Sequence, residues 1–194
     1  LQLTGAFRRD AIANLEARVP AVVVGGGLTA IDAATELLAY YPLQVEKILD
    51  RWEALAASGG EERLRAGFTS EERLTLDTCL AHGRAVRAER ARAAAAGETP
   101  DFARLVDAWG GVTIAYRKTL ADSPAYRLNH EEVVKALEEG IRFVEGLDPE
   151  EAVDDEHGAL KEVVFRRLKP AGDRLVDSGE RLRLPARTLL VAAG

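Results

Sequence analysis

The stretch that most constrains the fold is "VVVGGGLTAIDAATE", residues 22 to 36. The short β-branched run that ends at Val24 is of the kind buried inside a parallel sheet. Three glycines follow. Apolar residues then recur at Ile31, Ala34, Leu37 and Leu38, a spacing that gives a helix with one buried face. Strand, glycine turn and helix in that order match the dinucleotide-binding pattern Gly-x-Gly-x-x-Gly/Ala, with Gly25, Gly27 and Ala30 at the three small positions. Gly25 permits the tight turn, Gly27 lets a pyrophosphate approach the backbone, and Ala30 lets the helix pack near the strand. Amides around Leu28 and Thr29 would point at the phosphates, helped by the positive end of the helix dipole. A glycine motif alone is weak; the strand before it and the helix after it favour dinucleotide binding over a mere tight turn.

The same pattern calls for a second strand, ending in an acidic residue that grips a ribose about 20 residues further on. None is there. Pro42 is expected to end or kink the first helix. Beyond it, residues 43 to 108 are rich in Ala, Arg, Glu and Leu, good helix formers, broken at "SGG" (58 to 60) and "AGETP" (96 to 100). They read as a helical insertion, with Trp52 and Trp109 anchoring its packing. A charge-laced helix is more often a solvated face than a docking surface, so a partner or dimer contact through the insert is the secondary reading.

With the insertion set aside, "GVTIAYRK" (111 to 118) becomes the second strand. At its end stand Tyr116, Arg117 and Lys118 in place of a carboxylate. A carboxylate would accept bonds from ribose hydroxyls and repel a 2′-phosphate. Arg117 can meet phosphate oxygens through its guanidinium fork, and Lys118 adds a point charge. The sequence therefore favours NADP(H) over NAD(H).

Downstream, "NHEEVVKALEEG" (129 to 140) reads as a helix closed by a glycine, and "IRFVEGL" as a strand. "EEAVDDEHGALKEVVFRRLK" reads as two antiparallel strands about a polar turn, "ERLRLPA" as a third, and "TLLVAAG" as a central apolar strand. Residues 1 to 18 read as a short helix or two. The expected fold is α/β: a Rossmann-like parallel sheet with helices on both faces, a small antiparallel strand meander and a helical insertion. Residues 1–42 and 109–194 would form the nucleotide-binding domain, and 43–108 the insertion.

The segments "VVVGGGLTAIDAATE", "VTIAYRKTLADSPA", "ALEEGIRFVEGLDPEEA" and "LLVAAG" resemble the NAD(P)H-binding domain of two-domain flavoproteins. Within the pyridine nucleotide-disulfide oxidoreductase superfamily, the resemblance is to the small subunit of bacterial glutamate synthase and its relatives. It covers residues 20 to 42 and 110 to 194. It implies that this domain is inserted in a larger FAD-binding domain of the same polypeptide, and that hydride passes from NADPH to flavin and electrons then go to a partner centre. It marks Gly25, Gly26, Gly27, Leu28, Thr29 and Ala30 as pyrophosphate contacts. Tyr116, Arg117 and Lys118 would hold the 2′-phosphate, and Gly194 completes the cofactor-binding set. Leu28 stands where the family often has Asp, Lys118 replaces a second Arg, and Ser123 precedes Pro124 where Met is common. The insert lies outside the family pattern.

The remaining features narrow the field. A net charge of −6 argues against a nucleic-acid surface, and no apolar run is long enough to span a bilayer. The single cysteine, Cys79, excludes an internal disulfide or a redox pair, which is compatible with a reducing, cytoplasmic setting. Cys79 and His82 have a metal-ligand spacing but no second pair, and read as a packed thiol beside a surface imidazole. "DDEH" (154 to 157) reads as a turn, His130 as chemically idle, and Asp32 and Glu36 as structural or solvent-facing. The chain begins at Leu1 and closes on an apolar strand, and is taken as a piece of a larger polypeptide. No acid, base or nucleophile set emerges, as suits hydride transfer, where cofactors carry the chemistry. A flavin-free reductase of a small molecule and a non-catalytic interaction module built on the insert are the rival readings.

Overall fold

The computed structural model describes residues 5–193; Gly194, one of the expected cofactor contacts, lies outside the described residues. The chain forms two compact units, one holding Ala17–Leu38 and Val106–Gly194, the other Ala39–Leu105 with the segment that ends at Glu16.

The first unit contains a four-stranded sheet of β1 (Ala21–Val24), β2 (Val112–Tyr116), β3 (Arg142–Glu145) and β7 (Thr188–Val191), in the order β3-β2-β1-β7. All its pairings are parallel, with Val24 opposite Ala115 and Val191, and Tyr116 opposite Glu145. Helix α1 (Leu28–Gly59) leaves β1, and α5 (Pro124–Glu138) joins β2 to β3. Ile31, Asp32 and Thr35 of α1 line a shallow cavity with Glu132, Lys135 and Ala136 of α5, so the two helices lie side by side. The other face of the sheet is covered differently. Strands β4 (Leu147–Asp154), β5 (Leu160–Ala171) and β6 (Arg174–Pro185) form an antiparallel meander. Leu147, Val163 and Phe165 from it pack on Val22, Val24 and Ala115. The expectation of helices on both faces therefore gives way to helices on one face and a sheet on the other. Strand alternation makes this workable, because Val22 and Val24 face the meander while Val23 faces away.

The second unit is helical. The latter part of α1 is joined there by α2 (Glu61–Ala66) and α3 (Ser70–Ala96), and α4 (Phe102–Ala108) begins in it. Thr69 and Glu72 form a reciprocal capping box at the start of α3, and Gly97, in the left-handed conformation, closes it. Leu49, Trp52 and Leu80 make its apolar centre. Gly83 lets α3 approach α1 closely, since a Cβ there would lie 2.6 Å from the Val45 carbonyl oxygen.

Several sequence expectations are corrected. Pro42 lies inside α1, so of the two outcomes expected of it, an end or a kink, the end does not occur; Tyr40, Tyr41 and Leu49 on either side of it are buried. Residues 5–18 contain no helix. Side chains of α1 hold this segment instead: Lys47 Nζ donates to the carbonyls of Ala6 (2.9 Å) and Ala13 (3.1 Å), and the Tyr40 hydroxyl accepts the Leu15 amide (3.0 Å). Strand β7 is at the edge of the described sheet, not central, and Val191 is exposed. Trp109 is half-exposed and falls outside the helical unit. His82 is a half-buried partner of the Tyr41 hydroxyl (2.8 Å), not a surface group, and burial lowers its pKa. Helix α5 is two helical segments joined at a kink at Asn129 (φ −154°, ψ 77°), so the helix expected from residue 129 is preceded by a further helical segment from Pro124.

Candidate functional site: a glycine turn beside a cationic loop

Strand β1 delivers the chain to Gly25 between β2 and β7. The Gly25 amide donates to the Ala115 carbonyl (3.1 Å), and the Ala192 amide donates to that of Val24 (2.8 Å). A Cβ at Gly25 would lie 2.6 Å from the Ala192 carbonyl oxygen, so the residue must be glycine for β7 to pass. At Gly26 a Cβ would lie 2.3 Å from the Tyr116 ring. At Gly27 it would meet nothing within 4 Å. Two of the glycines are thus needed by the fold, while the third opens on free space.

That space lies at the head of α1. The Gly27 carbonyl accepts the amides of Ala30 (3.0 Å) and Ile31 (3.4 Å), starting the helix. Leu28 and Thr29 come before the first intrahelical bond, so their amides remain available to a ligand. The first turn holds no acidic residue to neutralise the positive end of the dipole, and Asp32 is exposed one turn along. Ala30 is wholly buried, as close packing of helix on strand requires.

Tyr116 ends β2 with its ring over Gly26 and edge-on to Phe143 (centroids 6.3 Å apart). Arg117 and Lys118 follow at once, both exposed, at the same end of the sheet as the glycine turn. Arg117 makes no hydrogen bond or ion pair among the described residues. Asp122 accepts bonds from Thr119 Oγ1 (2.8 Å) and Arg127 (2.7 Å). The Thr119 hydroxyl, Arg127 and the charge of Lys118 together hold its carboxyl below the usual aspartate range. Ser123, fully buried, caps α5 by accepting the Tyr126 amide (3.1 Å), with Pro124 in the first turn. The Ala125 amide then donates to the Gly26 carbonyl (3.0 Å), tying the end of the cationic loop to the glycine turn.

The structure thus brings Gly25, Gly26, Gly27, Leu28, Thr29 and Ala30 together with Tyr116, and places Arg117 and Lys118 on the adjoining loop. Sequence reasoning missed three participants. Ser123-Pro124 carried a readable helix-start signal. The Ala125 amide and the Glu145 carboxylate, which accepts the Leu120 amide (2.5 Å), carried none, since both act only through tertiary proximity. Among the described residues no group of three or more metal-binding side chains occurs. His130 contacts only the Tyr126 ring among the interactions seen (centroids 6.1 Å apart), and the "DDEH" segment is the β4–β5 turn, where Asp155 accepts the amides of His157 (3.0 Å) and Ala159 (3.1 Å).

A strand, a glycine turn and a helix beside a second parallel strand define the class: a βαβ unit of an α/β, Rossmann-like fold. No family model matches the chain. It is 33% identical over 165 residues to an uncharacterized protein of Rickettsia prowazekii (strain Madrid E), a match covering 85% of this chain and 21% of that protein. The chain therefore spans about a fifth of that relative's length. Among solved structures it is similar to a point variant of FprA from Mycobacterium tuberculosis (TM-score 0.40, 16% identity, 88% of this chain and 38% of that one). It is also similar to FprA in complex with NADPH (TM-score 0.38, 14% identity, 88% and 38% of the two chains). No helix of the described residues is long and apolar enough to cross a membrane.

Proposed function

We propose that this chain is the NADPH-binding part of an FAD-dependent oxidoreductase of the glutamate synthase small-subunit type. The observation that carries the reading is the junction of the glycine turn at the head of α1 with the Arg117–Lys118 loop at the end of the neighbouring strand. The residues fit the group: Gly27 leaves the room a pyrophosphate needs, and the loop offers charge to a third phosphate.

In this reading the amides of Leu28 and Thr29 bind the pyrophosphate, with Gly27 keeping the backbone bare. The guanidinium of Arg117 and the ammonium of Lys118 bind the 2′-phosphate. Tyr116 holds the turn from above, and Gly194 belongs to the same cofactor-binding set. A bound nicotinamide would supply a hydride to a flavin held elsewhere in the polypeptide, from which electrons would go on to a further centre. This chain binds and orients; it offers no nucleophile or acid–base pair of its own in the site. The helical residues 43–108 serve as an insertion whose charged faces meet solvent or a partner.

Titration of the intact polypeptide with NADPH and NADH tests the reading. NADPH should bind more tightly by about tenfold or more, and Arg117→Ala should remove most of that margin, as expected for a lost charge-assisted contact. Equal affinity for the two nucleotides would defeat it.

A further inference from the structure

We propose that Glu145 is a positioning residue that sets the preference for a 2′-phosphorylated adenine ribose, through its hydrogen bond to the loop carrying Arg117 and Lys118. The inference rests on the function proposed above and adds to it the residue that fixes where the cations stand.

The geometry begins with strand register. Tyr116 and Glu145 are paired at the C-terminal ends of β2 and β3, so the acidic side chain emerges beside the point where the cationic loop departs. Its Oε1 accepts the Leu120 amide at 2.5 Å. Leu120 is the pivot of that loop. Its carbonyl accepts the Ser123 amide (2.9 Å), and the overlapping turn has the Asp122 amide donating to the Thr119 carbonyl (3.1 Å). Residues 117 to 119 therefore hang between two fixed points, Tyr116 on the glycine turn and Leu120 on Glu145. Three linked residues with both ends held have little freedom to swing. The Asp122 contacts with Thr119 and Arg127 close the far side of the loop but do not reach β3. Among the described residues, the loop's hydrogen bond to β3 is the one to the carboxylate.

A negative group here also works against a bound phosphate, and the two effects have opposite signs. Glu145 is exposed, so water and salt weaken its repulsion. Its bond to the amide is charge-assisted and about twice as strong as a neutral one. Positioning is therefore expected to win over repulsion. A glutamine keeps the acceptor oxygen and removes the charge, an aspartate keeps the charge and withdraws the oxygen, and an alanine removes both.

The test compares binding of 2′,5′-ADP and 5′-ADP to the intact polypeptide by calorimetry, since their ratio reads the 2′-phosphate alone. Glu145→Ala and Glu145→Asp should each lower the ratio by roughly tenfold, while Glu145→Gln should keep it within about twofold. In an Arg117→Ala background, Glu145→Ala should change the ratio by less than about twofold, because the carboxylate acts through the cation. Melting curves and circular dichroism identify any variant that fails to fold, and the Gln and Asp pair then decides the matter. If Glu145→Ala leaves the ratio intact while Arg117→Ala abolishes it, the positioning role is overturned and the binding reading stands. If Glu145→Gln raises the ratio as much as Glu145→Ala does, repulsion dominates and the inference is wrong. If the unmutated protein shows no preference, or Arg117→Ala and Lys118→Ala leave it unchanged, the site reading falls and takes the inference with it.

Discussion

Gly25, Gly26 and Gly27 stand side by side yet answer to different neighbours, and substitution by alanine should separate them. At Gly27 a methyl group meets nothing in the protein. Gly27→Ala should therefore fold with an unchanged melting temperature but lose affinity for NADPH, because the methyl occupies the approach of the pyrophosphate. At Gly26 the methyl collides with the Tyr116 ring, an overpacking cost of about 1–3 kcal/mol, measurable by urea denaturation. Since the obstacle is a side chain, Tyr116→Ala should relieve much of the Gly26→Ala cost, and the two substitutions should be non-additive. At Gly25 the obstacle is the Ala192 backbone, which has no such escape, so Gly25→Ala should be the most damaging of the three. The motif told which positions need to be small. Why Gly26 is also glycine was not legible, because Tyr116 is distant in sequence and arrives only when β2 pairs with β1.

Among the elements, α3 shows how buried charge is managed. Glu89 is nearly buried, yet it is bonded twice by Arg92 (both 2.7 Å), and accepts the Asp101 amide (2.9 Å). Arg92 first and the amide second hold its pKa down at about 2. An ordinary glutamate titrates near ~4.3. The folded state thus binds its proton less readily than the unfolded chain does. Its contribution to stability is complete above the ordinary value and is lost as pH falls from there towards 2. Glu89→Gln should flatten the dependence of unfolding free energy on pH between about pH 5 and pH 3, read from denaturation at several pH values. Within the same unit, Lys47 reaches two carbonyls of the segment before Glu16. Lys47→Met should leave those carbonyls short of a donor and destabilise the protein by about 1–3 kcal/mol in denaturant titrations. Helix content was legible in this region from composition and from the "SGG" break. The Lys47 contacts were not, since lysine in a charge-rich helix reads as a solvated residue until the fold wraps a strand-free segment around it.

For the molecule as a whole, the prediction concerns the larger polypeptide proposed above. On the proposed reading the intact protein should purify with a flavin absorption spectrum, and NADPH should bleach it without oxygen more rapidly than NADH does. A colourless protein that still prefers NADPH would favour the flavin-free reductase instead. Acid should be its weak side, because Asp155, held at about 2 chiefly by Arg187, adds to Glu89 a second carboxylate that must stay ionised for its contacts to hold. By itself the sequence determined the parallel strands, the glycine turn, the helical character of residues 43 to 108 and the cationic end of β2. Each of those follows from local periodicity, propensity or a short motif. Only the tertiary structure decided that a meander covers one face of the sheet, that Pro42 stays inside a helix, and that Glu145 reaches the Leu120 amide. Those outcomes depend on which segments meet across long stretches of chain, and the free energy of such meetings is written in packing and register rather than in any local run of residues.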